Sequence, residues 1–432
     1  MAGRMTDRPM TIAIFTDTYA PEINGVTTSV RLLREELQIR GHRVYLFCPE
    51  YGGRLFADDE DTIRLPSIPY FFRKMKERRF VFPHFRKLFK VRRLGVDIIH
   101  SQVPGNIGVY GLITAWLFGV PHVHTYHTLY MAYVHYMPIP RSISTRSVKW
   151  ISRKFLGRCQ RAAAPSHDIR RELKSYGVDA PIDVIPTGVE TRRSHAFLNA
   201  EKLRIKYGIP DGRPCLLYVG RLGPEKNVAF LFEVMLELRR RGSAAYLLII
   251  GDGPDRHRLE YLVRENGLGG DVGFAGYLPR EEVFSFYRMA DLFVFASTTE
   301  TQGLVLLEAM SVGTPSVAVA RMGVSDLLSD GRGGIPVAED SEEFAREVLR
   351  ILSDPSLREE KREEAYAKAD EWSVVRSATR LEWMYREAIR DYRYHGMPRH
   401  RHRNWTTTAE IEPETPLPVT AASAGRRQGG SS

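Results

Sequence analysis

The chain reads as an α/β protein with two parallel-sheet units in tandem, and three observations predict this. Short apolar runs that fit buried parallel strands alternate with helical patterns from Thr11 to Val337. Both halves open in the order strand, loop, helix, strand, a Rossmann-like βαβ beginning. The loops after the strands carry glycine, Lys/Arg and carboxylate residues, which gathers polar chemistry at one sheet edge.

In the first half, Thr11 to Thr16 (TIAIFT) is the opening strand, Pro21 and Asn24-Gly25 make the turn, and Val26 to Arg40 is helical. Val44 to Cys48 (VYLFC) is the second strand. The G-x-G-x-x-G pattern is missing, so a dinucleotide site is not expected. Gly25 fits two roles, a close backbone approach to a phosphate or a φ > 0 turn. Val96 to Ser101, Pro121 to His127 (PHVHTYH), Ala162 to Pro165 and Ile182 to Ile185 read as further strands, and Gly105 to Phe118 as a helix. His127 ends its strand, where open α/β sheets place ligands. Tyr126, Tyr130, Tyr133, His135 and Tyr136 crowd the next loop, and suit a lipid–water boundary and a sugar-stacking wall equally.

With 432 residues, 43% hydrophobic and 26% charged, the chain can bury two or three full cores. Its net charge of +10 calls for a polyanionic partner or surface. Arg73 to Arg93 holds ten Lys/Arg residues against the single acid Glu77. As one helix it would be amphipathic, with Phe82, Phe85 and Phe89 on one face and Arg86, Lys90 and Arg93 on another, Lys87 beside them. Such a segment can lie on an anionic membrane, or pack its Phe face into the core with its charges solvated. Nucleic acid is not expected, because no recognition fold or zinc spacing accompanies the patch. No apolar run reaches the ~20 residues that span a bilayer; Gly108 to Val120 is too short and meets Pro121. The N-terminal stretch lacks an apolar signal region, and Cys48, Cys159 and Cys215 form no CxxC pair, which fits a cytoplasmic protein. Asp58-Asp59-Glu60-Asp61 reads as a solvated charge run, so no metal is expected.

Pro186-Thr187-Gly188-Val189 is a turn after a strand, and a boundary is expected near 190–200. Cys215 to Gly220 then opens the second unit, with Arg221 and Lys226 in the loop at its carboxyl end and a helix over Asn227 to Arg241. GxxxxGK[ST] is missing, which argues against a P-loop. Tyr246 to Ile250 ends in Gly251-Asp252-Gly253-Pro254, and Val272 to Ala275 in Gly276-Tyr277. Asp291 to Ala296 runs into STTETQGLVLLEAM, a strand-to-helix turn with Glu300 and Glu308 eight positions apart. Helix-terminal N–H groups near Gly303 and Leu304 would favour an anion. Glu300 and Glu308 beside a phosphate, with Gln302-Gly303 at the turn between them, make sense when the carboxylates accept from hydroxyls, as with a sugar nucleotide. Pro315 to Val319 and Gly334 to Val337 close the sheet, helices follow over Ser341 to Leu352, Leu357 to Ala369 and Ser373 to Tyr394, and the polar tail from Gly396 is expected to be disordered.

The motifs GRLGPEKN, GDGP and ETQGLVLLEA resemble those of the retaining glycosyltransferases of family 4, over roughly residues 10 to 395. The resemblance implies the GT-B architecture: two Rossmann-like domains facing across a cleft, with a C-terminal helix returning to the N-terminal domain. The expected division is an extension (1–9), an N-terminal acceptor domain (10–190), a C-terminal nucleotide-sugar domain (191–375), a crossover helix (376–395) and a tail (396–432). It further implies that Glu300 contacts the transferred sugar, Glu308 the ribose, and Arg221 and Lys226 the diphosphate. Gly25 matches the N-terminal glycine loop, His127 the histidine reaching the sugar, and Gly251, Gly253, Gly276 and Tyr277 line the donor site. FTDTYAPEINGVTTSV and HTYHTLYMAYVHY are similar to segments of the bacterial 1,2-diacylglycerol 3-α-glucosyltransferases. That subgroup implies UDP-glucose as donor, diacylglycerol as acceptor, and peripheral attachment to the inner face of the plasma membrane. Phe85, Arg86, Lys87, Phe89, Lys90, Arg93, Tyr126 and Tyr130 become the acceptor and membrane face. It implies no required cofactor, and a front-face substitution without an enzymic nucleophile. GDP-mannose with phosphatidylinositol or another acceptor remains an alternative, as does a nucleotide-sugar epimerase.

Overall fold

The structure, a computed structural model, describes residues 8–22, 24–51, 59–69, 79–82, 84–127, 141–191 and 197–397, with the side chains of 85 and 141–144 outside that description. Two fully parallel sheets form its frame. The strands of the first are β1 (Thr11–Phe15), β2 (Arg43–Pro49), β3 (Thr62–Leu65), β6 (Ile98–Ser101), β7 (His122–Thr125), β8 (Arg161–Ala164) and β9 (Ile182–Val184). A separate antiparallel hairpin pairs β4 (Ser67–Pro69) with β5 (Arg79–Val81). The second sheet contains β10 (Cys215–Val219), β11 (Tyr246–Ile250), β12 (Val272–Gly276), β13 (Leu292–Phe295), β14 (Ser316–Val319) and β15 (Gly334–Val337).

The orders are β3-β2-β1-β6-β7-β8-β9 and β12-β11-β10-β13-β14-β15. Each runs outward in one direction from its first strand and then reverses, so each has a switch point, between β1 and β6 and between β10 and β13. Loops diverge there and open a crevice at the carboxyl ends of the strands. The strands are apolar almost throughout because helices cover both faces: β11 (YLLII) and β13 (LFVF) are buried at every position.

The helix Val374–His395 returns to the first sheet. Its Ala378, Leu381, Met384, Tyr385 and Ala388 join a core with Ile12, Ile14, Val30, Leu33 and Ile98. Burial of a side chain such as Leu or Met contributes roughly 1.5–3 kcal/mol. The helix also meets a fully buried ion pair, in which Arg161 Nε and Nη2 each donate to Asp183 at 2.8 Å. Asp391 lies 3.6 Å from that guanidinium, and Trp383 stacks 5.1 Å from it. The outgoing and returning segments touch: Val189 N donates to Trp372 O (3.1 Å) and Val374 N to Val189 O (2.9 Å). Gly188 permits this, since a Cβ there would lie 2.3 Å from Val374 Cα. The return helix runs Val374–His395, one residue on from the expected Ser373 to Tyr394 at each end, and is capped by Ser373.

The basic segment is not one helix. Residues 70–78 and 83 lie outside the described residues; the remainder folds as β5, then the single turns Phe85–Leu88 and Lys90–Arg93. Pro83 explains the break, because it has no N–H to donate and disfavours helix before it. The Phe face does not enter the core: Phe82 and Phe89 are about half exposed, while Leu88 and Val91 are buried. Lys87 donates its Nζ to Arg64 O, and so serves the fold.

Candidate active site

The loops at the two switch points face each other. In the second sheet, β10 leads into Gly220-Arg221-Leu222-Gly223 and a 3-10 turn, Pro224–Lys226. Asn227 follows in the left-handed region (φ 53°) and starts the helix Val228–Arg240. This turn aims Lys226 at Glu300, in the loop after β13, and the two form an ion pair with about a fifth of each side chain exposed. Arg221, earlier in the same loop, is exposed.

The helix after β13 runs Leu304–Ser311, with Gly303 as its cap at φ 82°, a conformation that favours glycine. Its Leu304 and Val305 N–H groups have no acceptor among the described residues. Such a terminus attracts an anion. Glu308 lies one turn deeper, almost buried, with Arg280 Nη1 on one oxygen and the Tyr287 hydroxyl donating to the other at 3.2 Å. A carboxylate has about four acceptor sites, so Glu308 is anchored and can still accept from a ligand hydroxyl.

The first sheet supplies the opposite wall. Asn24 caps the helix Gly25–Ile39 by accepting from Thr27 N at 2.9 Å. Gly25 is therefore the first helical residue, and the φ > 0 role does not apply, since Gly25 is not among the positive-φ glycines. A Cβ there would lie 3.5 Å from Leu304 Cδ1, so Gly25 faces the donor-side helix across a narrow gap. His127 sits two residues beyond β7, and its carbonyl accepts from Thr301 Oγ1 at 3.1 Å. Gln102 Oε1 lies 2.6 Å from His127 Nε2. An amide oxygen only accepts, so His127 carries its proton on Nε2 and keeps a lone pair on Nδ1. Burial pushes its pKa down to about 4, which makes it neutral at pH 7.

Gln102 belongs to a buried chain. Its Nε2 is 3.1 Å from His100 Nδ1, which is 2.6 Å from the Tyr385 hydroxyl on the return helix, while His100 Nε2 meets Thr125 Oγ1 at 2.7 Å. A cavity of about 20 Å³, lined by Gln102, Thr125, His127, Thr187 and Ser377 among others, lies beside it. That is room for one water.

Three sequence expectations change. Gln302 is nearly buried, and its amide both accepts from Thr187 N and donates to Thr187 O at 2.7 Å; it fastens the two halves rather than facing a donor. Tyr126 is fully buried against Phe155 and Ile169, 3.2 Å from Ser152 Oγ, so it lines no acceptor surface. Asp59 keeps 54% of its side chain exposed but gives both oxygens to Arg34 (2.7 and 2.8 Å), so the solvated run also carries a structural pair. Tyr130 and Asp58 lie outside the described residues.

Gly251 and Gly253 hold loops together: a Cβ on Gly251 (φ 138°) would lie 1.9 Å from Gly220 O, and one on Gly253 2.3 Å from Leu222 O. Gly276 (φ 74°) ends β12, and Tyr277 beyond it is exposed. Sequence reading missed Gln102, Arg280 and Gly323. Gly323 lets the loop after β14 pass within 2.3 Å of Thr301 O, counted from a Cβ, and its N–H donates to Glu300 O at 3.0 Å. The Met-Gly pair before an apolar helix was its only signal.

Two switch-point crevices face to face, one edged by cations, a helix terminus and anchored carboxylates, define an enzyme that transfers a group from a nucleotide-sugar donor. The chain belongs to the GT-B glycosyltransferases: residues 199–369 match the family described as glycosyl transferases group 1, and residues 23–193 match Glycosyltransferase Family 4. It is 33% identical over 385 residues to an alpha-monoglucosyldiacylglycerol synthase of Streptococcus pneumoniae, covering 88% of this chain and 86% of the relative. A GDP-mannose-dependent alpha-mannosyltransferase of Mycobacterium tuberculosis is 30% identical over 347 residues, with 79% and 88% covered. Among solved structures, Anabaena HepE in complex with UDP superposes with a TM-score of 0.68 at 18% identity, covering 87% of this chain and 99% of that one.

Proposed function

We propose that the protein moves glucose from UDP-glucose to the free hydroxyl of 1,2-diacylglycerol, with retention of the α configuration. The observation that carries the reading is the meeting of the two walls: Lys226, Glu300 and the Leu304 helix terminus on one side, Gly25 and His127 on the other. Diphosphate binds at the helix terminus, with Lys226 and Arg221 supplying positive charge as the leaving group departs. Glu308 accepts from ribose hydroxyls and Glu300 from the sugar.

In the substitution, the bond from sugar C1 to the diphosphate oxygen breaks and the bond from C1 to the acceptor oxygen forms on the same face. The acceptor proton passes to the departing phosphate oxygen. Neutral His127 offers its Nδ1 lone pair to a sugar hydroxyl, and its protonation would remove that acceptor. Similarity over most of both chains to the monoglucosyldiacylglycerol synthase supports glucose as the sugar and diacylglycerol as the acceptor.

The mannosyltransferase similarity supports a second reading, with GDP-mannose as donor. Purified protein assayed with each nucleotide sugar and diacylglycerol vesicles, scored for nucleotide release and glycolipid, separates the two. UDP-glucose should give glucosyl diacylglycerol; product from GDP-mannose alone would replace the first reading with the second.

A further inference from the structure

The turn after β14 carries an unexpected residue for its shape. Val324 N donates to Arg321 O at 3.1 Å, and Met322 lies between them at φ 50° and ψ −129°, the first central position of a type II′ turn. Glycine adopts that conformation freely, whereas an L side chain is strained there and stays only where surrounding contacts hold it. Asn227, the other non-glycine residue at positive φ among the described residues, is of a type that tolerates the left-handed region; methionine is not.

The contacts that hold Met322 lie in the other domain. It packs against the first-domain cluster that contains Phe155, Ile169 and Leu173. Four residues on, one carboxylate oxygen of Asp326 accepts from His167 N at 2.5 Å and Asp168 N at 3.2 Å, at the start of the first-domain helix His167–Ser175. A helix start leaves four such N–H groups without intrahelical acceptors. Ser166 Oγ takes a third, from Ile169 N at 3.4 Å. The second domain therefore supplies part of a first-domain helix cap.

The other side of the turn touches the backbone of the Glu300 loop. Gly323 N donates to Glu300 O at 3.0 Å, and a Cβ on Gly323 would lie 2.4 Å from Gln302 N. The turn is wedged between the first domain and the strand end that carries Glu300. We propose that Met322 and Asp326 are positioning residues for the transfer: they clasp the turn 321–324 to the first domain, and the turn holds Glu300 at the sugar through the Gly323 N–H. Both act through Glu300 rather than on the donor. The proposal deepens the reading of Glu300 as the group that meets the transferred sugar, and rests on it.

The strained backbone supplies the test, because it separates stability from turnover. Met322→Gly relaxes the turn while withdrawing the side chain from the first domain, so Tm should stay within about 3 °C and kcat should fall about tenfold. Asp326→Ala should lower kcat by a similar factor. Asp326→Asn, which keeps an oxygen for the helix N–H groups, and Met322→Leu, which keeps the packing, should stay within about threefold. The assay uses whichever of UDP-glucose and GDP-mannose the unaltered protein turns over, and calorimetric titration with the matching nucleoside diphosphate counts the folded sites. Each variant should bind as many equivalents as the unaltered protein, with Kd within about threefold, because the nucleotide lies on the Leu304 terminus and Glu308 rather than on Glu300. A merely structural role would lower Tm, binding sites and turnover together. Turnover by Met322→Gly and Asp326→Ala within about threefold of the unaltered protein, or a fall matched by lost binding sites, would overturn the proposal. Glu300→Gln separates this outcome from failure of the underlying reading. Full activity in Glu300→Gln would remove the sugar role of Glu300 and the proposal with it; an inactive Glu300→Gln beside active Met322→Gly and Asp326→Ala would remove the clasp alone.

Discussion

Replacing Lys226 with alanine separates chemistry from folding at the ion pair on which the donor site is built. The ammonium is held by Glu300 where β10 and β13 diverge, and about a fifth of each side chain is exposed. Loss of one positioned cation opposite a departing diphosphate should cost roughly 3–4 kcal/mol of transition-state stabilisation, a fall of about 10²–10³ in kcat. Folding should lose far less. Water reaches both partners, so Glu300 is resolvated when Lys226 is removed, and a loss of about 1–2 kcal/mol is expected, between exposed and buried pairs. For a domain of ~150–250 residues, that lowers Tm by roughly 2–8 °C, which leaves the protein folded at 25 °C. Initial rates of nucleotide release, with melting curves on the same samples, read both terms. If turnover stays within about threefold of the unaltered enzyme, Lys226 does not stabilise the leaving group, and the pair is only structural.

Gln102→Glu should place a negative charge on His127 Nε2–H and raise the histidine pKa from about 4, moving the acid limb of the rate profile to higher pH, while Gln102→Leu should lower kcat/KM roughly tenfold without that move. Identical pH profiles for both variants would refute the positioning role. Buried His100, His122 and His124 are likewise held neutral, His122 down to about 3. The unfolded chain therefore binds protons first: stability is fully present above about pH 6.5 and is lost as pH falls towards the folded values, at up to about 1.4 kcal/mol per pH unit per histidine. Urea denaturation from about pH 7 to 4.5 measures this, and a flat profile would contradict it. Gly251→Ala should destabilise by about 2–4 kcal/mol, because its Cβ meets Gly220 O at 1.9 Å in a backbone conformation alanine rarely adopts. An unchanged Tm would return Gly251 to a purely ligand-binding role.

The sheets were legible because buried parallel strands announce themselves: TIAIF, CLLYV, YLLII and LFVF are unbroken apolar runs between turn signals. The positions of the second unit's candidate residues were legible for a related reason. Arg221, Lys226, Glu300 and Gly303 follow their strands directly, and proximity to a strand end is a local property. What depended on distant partners stayed hidden. Nothing near Gln302 in the chain indicates that its amide spans to Thr187, and nothing near Gln102 indicates that it holds His127. Tyr126 was misplaced because an aromatic residue just beyond a strand looks the same in the chain whether a helix such as Arg141–Leu156 covers it or not. In the basic segment, periodicity was followed through Pro83, where backbone chemistry ends a helix whatever the side-chain pattern.

Whether glucose passes to diacylglycerol with retention is read from the linkage of the product. Enzyme, UDP-glucose labelled at C1 and diacylglycerol vesicles should yield a glucosyl diacylglycerol whose anomeric signal in NMR is α. A β-linked product would refute retention, and release of free glucose with no glycolipid would refute transfer to diacylglycerol.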